Sequence, residues 1–393
     1  MEGICDLPLH DGRVPPHLMA RMRRLGSAIA RIIIEEFGPR ELVARLADPL
    51  WMQAFSNVIG MDWDSSGATT VVIYVLKSFA PPTALKDMGF AVLGGKGRDA
   101  RRAPQELAAI DRLGIVDTKT LERVSRLSAR IDSALLQDGY ELYIHSVFIS
   151  SDGSWTVVQQ GMNLEHYTAR RYHIHGLRTT PSLDRDPHSG VACNRIGVAL
   201  NVVDAEASRC REALVRIVNE LRPREVAKLV AEARAVISGT RPLIGGFDER
   251  VRELRNDPLV RYYTPRIDVD KVRRFLERLE GTVRSFEDLA LAPGLGPETV
   301  RALALVAHII YGARPSHRDP VTHVLDPFIY SYAHGGKDGV PYPVRLDLLD
   351  TSIRVLEEAL DRARIDFEEK RRALRRLARF VDAVARSIYS ESR

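Results

Sequence analysis

Residues 141–160 read Glu141-Leu142-Tyr143-Ile144-His145-Ser146-Val147-Phe148-Ile149-Ser150-Ser151-Asp152-Gly153-Ser154-Trp155-Thr156-Val157-Val158-Gln159-Gln160. Two runs rich in β-branched and aromatic residues, Glu141 to Ile149 and Ser154 to Gln160, flank Ser151-Asp152-Gly153. Asp-Gly tolerates the positive φ of a tight turn, so the stretch reads as a β-hairpin. Arg171 to His175 and Val198 to Val203 extend it into a small antiparallel sheet, and Phe90 to Leu93 is a further short strand ending in Gly-Gly. Upstream the period changes. Leu18, Met22, Leu25, Ile29, Ile32 and Ile33 recur at three- and four-residue steps, an amphipathic helix between the Pro15-Pro16 pair and Gly38-Pro39. A short helix over Arg40 to Leu46 and a longer one over Thr118 to Leu136 follow. Ala68 to Phe79 reads as helix after a cap at Asp64 to Gly67, although Thr69 to Ile73 also permits a strand. After Ala205 the pattern is almost wholly helical, near 206–220, 223–237, 247–256, 268–280, 297–313, 347–361 and 364–388. The fold class is therefore α+β: a mixed domain over residues 1–237 holding the sheet, then an all-helical domain over 238–393, divided at Ser238-Gly239-Thr240.

With 393 residues, 45% hydrophobic and 28% charged, the chain has the balance of a globular protein with more than one core. It shows no repeat of solenoid period and no apolar run near the roughly 20 residues of a membrane span. The N-terminus lacks the layout of a secretory signal, which predicts a soluble, cytoplasmic protein with no membrane partner. Three scattered cysteines without a Cys-x-x-Cys pair exclude zinc ribbons and four-cysteine iron–sulfur clusters. Of 57 basic residues only eight are lysines, so a lysine retained among glycines draws notice. A net charge of +5 is compatible with a polyanionic partner without demanding one.

The strongest local signal is Leu289 to Leu303, centred on Pro293-Gly294-Leu295-Gly296-Pro297-Glu298-Thr299-Val300-Arg301. It resembles the helix-hairpin-helix motif of DNA repair and recombination proteins. The glycines permit a tight turn and close approach of backbone to a ligand. A helix opening at Pro297 offers unpaired amides and its positive dipole end to a phosphate. This resemblance assigns Pro293, Gly294, Leu295, Gly296, Thr299 and Arg301 to DNA binding through phosphates, with no base readout. Glu298 departs from the basic residue often found just after such a hairpin, and Arg301 is placed to compensate. A glycine-capped αα-hairpin without a ligand gives the same pattern. Downstream, His317-Arg318-Asp319-Pro320-Val321-Thr322-His323-Val324 resembles the Val-Asp-Thr-His-Val element of helix-hairpin-helix glycosylases. Here Val321 fills the catalytic aspartate's slot, which disfavours glycosylase chemistry.

Gly94-Gly95-Lys96-Gly97 and Gly335-Gly336-Lys337-Asp338-Gly339 place two of the eight lysines among glycines, each a phosphate cradle or a plain turn. Neither is a Walker loop, so a nucleoside triphosphatase is disfavoured. Asp62 and Asp64, two apart, share a face of an extended segment. They would hold a divalent metal, Mg or Mn, with Asp138 a further ligand and Lys96 neutralising charge during phosphodiester cleavage. The competing reading is a helix cap at Asp64 and a surface turn at Asp62. Arg170-Arg171-Tyr172-His173-Ile174-His175 is a basic and aromatic cluster assigned, with Lys337, to DNA contact; a solvated strand edge is the alternative.

The whole chain is similar to a prokaryotic, mainly archaeal, domain-of-unknown-function family. The segments carrying the similarity are Leu7 to His10, Asp62 to Gly67, Gly94 to Gly97, Gln137 to Tyr140, Val158 to Asn163, Ala169 to His173, the hairpin, and Ala333 to Gly339. The resemblance implies a shared fold and assigns no activity. The expectation is a DNA-binding protein of repair or processing, a metal-dependent nuclease. The alternatives are a non-catalytic nucleic-acid-binding scaffold, a glycosylase-like enzyme, or a nucleotide- or RNA-modifying enzyme. The charged final helix permits a homodimer.

Overall fold

The structure is a computed structural model and describes residues 13–62, 65–176, 183–193, 195–240, 254–257, 260, 264–279, 283–322, 334–336 and 343–362. Its centre is a five-stranded antiparallel sheet in the order β1–β3–β4–β5–β6, formed by Phe90–Lys96, Glu141–Ser150, Trp155–Asn163, Thr168–Gly176 and Gly190–Ala192. The hairpin at Asp152-Gly153 sets its register, with Ile149 opposite Trp155 and His145 opposite Gln159. A smaller sheet pairs β2 (Leu136–Gln137), β7 (Val198–Asn201) and β8 (Ser316–Arg318). The fold is α+β, as the alternation of periods requires.

Strand side chains point alternately to the two faces, and here both faces are covered. One carries Phe90, Val92, Ile144, Phe148 and Val158. It packs on α1 (Pro16–Phe37), α2 (Pro39–Arg45), α3 (Pro49–Val58) and α4 (Gly67–Phe79). The helix α1 starts with proline at its first position and stops at Gly38, whose φ of 90° no β-branched residue adopts readily. The Asp48 carboxylate opens α3 by accepting the Leu50 amide at 2.7 Å. Despite its β-branched run α4 is a helix, because Val72, Val75 and Leu76 are all buried against α1 and the sheet. Packing overrides propensity.

The second face, with Ala91, Leu93, Val147, Ile149, Val157 and Ile174, lies in the larger apolar cluster. Over it run the single turn α5 (Leu85–Met88), then α6 (Ala103–Asp111) and α7 (Thr118–Arg130), which passes into a π turn at Ile131–Leu135. Behind them stand α8 (Ser208–Glu220), α9 (Pro223–Ile237), α10 (Val269–Glu277), α11 (Phe286–Leu291) and α12 (Pro297–Tyr311). The last described helix, α13 (Leu346–Arg362), returns to α1. There Arg21 meets Asp350 at 2.6 Å and Arg24 meets Glu357 at 2.6 Å.

The division expected at residue 238 runs through a shared core, since Val226, Val230 and Val236 belong to the same apolar cluster as Val272, Phe275 and Leu303. Among the described residues no single helix is long and apolar enough to cross a membrane. The helices expected near 364–388 and over most of 247–256 lie outside the described residues.

Candidate nucleic-acid interface

The turn between α11 and α12 is built by local rules. Ser285 caps α11 by accepting the Asp288 amide at 3.1 Å, and the Asp288 carboxylate accepts the Ser285 amide in return, also at 3.1 Å. The chain leaves α11 at Ala292, whose carbonyl accepts the Leu295 amide at 3.2 Å. Gly294 turns with φ 86°, and Val300 donates to Gly296 at 3.1 Å to start α12. Leu295 is buried, while Pro293 and Gly294 are exposed. Pro297 has no N–H, and the first-turn amides of Glu298 and Thr299 have no acceptor within the helix. The Thr299 side chain points inward and is buried, so only its amide faces the turn.

Neighbouring elements hold the turn and charge its surroundings. Arg130 of α7 donates to the Leu295 carbonyl, and Gln137 of β2 donates to the Pro297 carbonyl at 3.1 Å. Arg301 donates to the Gln137 side chain at 2.5 Å, so its role is to fix the hairpin on the small sheet. Burial, then the neighbouring Arg126, push the Arg130 guanidinium below its ordinary value. Glu298, the acid that stood against phosphate binding, is paired with Lys271 at 2.8 Å and accepts the Asp268 amide. On α10, whose Phe275 ring lies beside Gly294, Arg274 and Arg278 are exposed. They donate to the backbone carbonyls of Asp270 and Arg274, and among the described residues neither pairs with a carboxylate.

The other assigned residues fare differently. Arg170 and Arg171 are 1% and 0% exposed, which corrects their assignment to DNA contact. Neighbours on β5, they serve opposite faces. Arg170 binds Asp138 at 2.7 Å and both carboxylate oxygens of Asp319 at 2.9 and 3.0 Å. Arg171 donates to Thr69, Gln53 and the Pro49 carbonyl. Asp319, early in the glycosylase-like stretch, is thus a structural counter-ion. Asp138 also accepts the Tyr172 hydroxyl at 2.7 Å, and burial pushes its carboxyl above the usual range against the pull of Arg170. It sits on the far side of the sheet from the α3–α4 segment that carries Asp62, so it cannot complete a metal site there. His173 and His175 place Nδ1 on the carbonyls of Leu46 and Trp155, at 2.8 and 3.0 Å.

Gly94-Gly95-Lys96 is not a loop but the end of β1, paired with His145 and Ser146. A Cβ on Gly94 would stand 2.2 Å from the His145 carbonyl oxygen, so close strand approach accounts for that glycine. Lys96 is exposed, its ammonium 5.5 Å from the Tyr143 ring centre. The Tyr143 hydroxyl meets Gln160, which also reaches the Ser66 carbonyl at 2.9 Å and the Thr69 hydroxyl. Through these residues Lys96 comes to the same corner as the segment running from Asp62, itself buried. Asp64 and Lys337 lie outside the described residues. Among the described residues no group of three or more His, Cys, Asp or Glu side chains is disposed to hold a metal ion.

Sequence reading missed one polar chain. Ser125, His145, Gln159, Asp132 and His188 are linked in that order by hydrogen bonds beneath α7. Its only signal was His145 and Gln159 standing in mid-strand among apolar residues.

No curated protein and no solved structure matches the chain. The model of the family described as "Protein of unknown function (DUF763)" matches residues 3–344. That span takes in the larger apolar cluster, the two sheets, the α11–α12 turn and all of the other cluster but its α13 residues, and the chain belongs to this family.

Proposed function

We propose that the protein binds DNA, in repair or processing, by gripping the phosphate backbone with the α11–α12 turn as a helix-hairpin-helix. The observation that carries this reading is the exposed Pro293-Gly294 tip beside the unpaired first-turn amides of α12, with Arg274 and Arg278 uncompensated nearby. Pairing of Glu298 with Lys271 removes the local charge objection. Binding of this kind ignores sequence and weakens steeply with salt. Metal-dependent cleavage is a second reading, favoured by Gln160 reaching both the Tyr143 hydroxyl, beside exposed Lys96, and the Ser66 carbonyl, a few residues from buried Asp62. In it Asp62 and Asp64 hold magnesium or manganese.

Gly296 supplies the test. Its φ of −129° is ordinary, and an added Cβ meets nothing within 4 Å. Gly296→Val therefore leaves the fold intact while covering the amides. Anisotropy titration of a labelled duplex at two salt concentrations should give a Kd of about 10⁻⁴–10⁻⁶ M at physiological salt. The variant should bind roughly tenfold more weakly, a change of about 1.4 kcal/mol. Equal binding by the two proteins removes the hairpin from the interface. Incubating the same duplex with each metal, for wild type and Asp62→Asn, decides whether cleavage accompanies binding.

A further inference from the structure

Ser125, Ser128 and Asp132 lie on the side of α7 and its π turn that faces the sheet, opposite the cross-strand partners His145 and Gln159. The Gln159 amide nitrogen donates to the Ser128 carbonyl at 3.0 Å and to the Asp132 carboxylate. Both of those groups accept only, so the amide oxygen is the atom 2.8 Å from His145 Nδ1. A carbonyl oxygen accepts, so Nδ1 carries the ring proton. The lone pair on Nε2 therefore faces the Ser125 Oγ, 2.8 Å away, and the serine hydroxyl donates to it. His188 Nε2 stands 2.7 Å from the other Asp132 oxygen and fixes the carboxylate. Burial holds the His145 imidazole below its ordinary range, hence neutral at pH 7.

A pin between helix and sheet would be served equally by the opposite proton order. This order is the one that general-base activation of a hydroxyl needs. A π turn, which supplies Asp132, is a rare device found frequently at functional sites. Exposure is graded along the chain: 0% at Gln159, 1% at Asp132, 6% at Ser125 and 8% at His145. What little opens to solvent is the serine–histidine end. There the edge strand faces His145 with Gly95, over which Asp99 lies, its Cβ 3.1 Å from where a Cβ on Gly95 would stand.

We propose that Ser125 is a nucleophile and His145 its general base, forming an acyl-transfer centre for small carboxylic esters. In the first step Oγ bonds to the carbonyl carbon as its proton passes to Nε2. The bond from carbon to the leaving oxygen then breaks, and Nε2 returns the proton to that oxygen. Water, deprotonated by the same nitrogen, displaces the acyl group as a carboxylic acid and restores the serine. Gln159 and Asp132 are positioning residues. The site is independent of the DNA reading and stands or falls without it.

The test treats the full-length protein with a small fluorophosphonate and maps the adduct by peptide mass spectrometry, with circular dichroism as a check on folding. Ser125 should be labelled at least about 100-fold faster than in the denatured chain, the scale of general-base assistance. The rate should fall only once the pH drops below the ordinary imidazole range, because burial lowers the point at which His145 takes a proton. Ser125→Ala should lose the label, and His145→Gln should slow it at least tenfold. If Ser125→Ala does not fold, Ser125→Cys should react with iodoacetamide faster than the buried Cys193 and Cys210. A native protein unlabelled at Ser125, or labelled at an unchanged rate in His145→Gln, overturns the proposal.

Discussion

Arg170 shows how far a residue's chemistry can be legible while its role is not. Its guanidinium is shared by two buried carboxylates, Asp138 and Asp319, which stand far apart in the sequence. Burial alone would lower its pKa, yet Asp138 and the surrounding acids keep it raised. Removing the cation would leave both carboxylates buried without a counter-charge, the circumstance in which a buried ion pair matters most. Arg170→Met should therefore destabilise the protein by about 3–5 kcal/mol in urea unfolding. Arg274→Ala, exposed on α10, should stay within about 0.5 kcal/mol of wild type. A small loss for Arg170→Met would mean that Asp138 and Asp319 find other partners. The run Arg170 to His175 announced charge and a strand. It did not announce burial, because alternation tells inside from outside only when one face of a sheet meets water.

At the scale of elements, β1 gives the sharpest contrast between a correct signal and a wrong cause. Glycines at 94 and 95 with a lysine following do mark a special backbone, since Gly94 has φ 75° and Gly95 φ 145°. The cause is strand geometry against His145 rather than a ligand. A side chain at 94 would collide with backbone that cannot move without unpairing β1 from β3. Gly94→Ala should cost at least about 2 kcal/mol in thermal or chemical unfolding, combining positive φ with a steric clash. Lys96→Ala should cost no more than about 1 kcal/mol, the worth of an exposed cation–π contact. Comparable losses in the two variants would show that Lys96 anchors the strand. Periodicity served long elements well: α1, β3, β4, α8, α9 and α12 lie where it put them. It passed over α3, although Asp48-Pro49 is a helix-opening pair, and over β8, three residues too short to show any period. The polar chain under α7 was illegible for a related reason. Ser125, Asp132, His145 and Gln159 come from three elements, and only the fold brings them together.

For the whole molecule, the boundary that the sequence suggests at residue 238 divides composition and not cores. Helices α10 to α12 complete the larger apolar cluster begun by residues 85–237. The segment after them crosses back, so that Leu349 and Ile353 complete the other cluster with Leu18, Met22 and Leu25 of α1. The pairs Arg21–Asp350 and Arg24–Glu357 mark that return, though as exposed or half-exposed ion pairs they contribute little by themselves. The described residues after 238 thus contribute to two separate cores and own neither. A fragment of residues 1–237 should expose both unfinished cores, and a fragment of residues 238–393 should have no core to melt around. The full chain should unfold in one transition that coincides by circular dichroism and by tryptophan fluorescence, while each fragment alone should show no cooperative melt. Mixing the fragments should restore the transition, because what each lacks is the other's apolar surface. Two fragments that melt cooperatively on their own, at the temperatures of two separate transitions in the full chain, would establish instead that each half carries a sufficient core and that the contacts across residue 238 are docking alone.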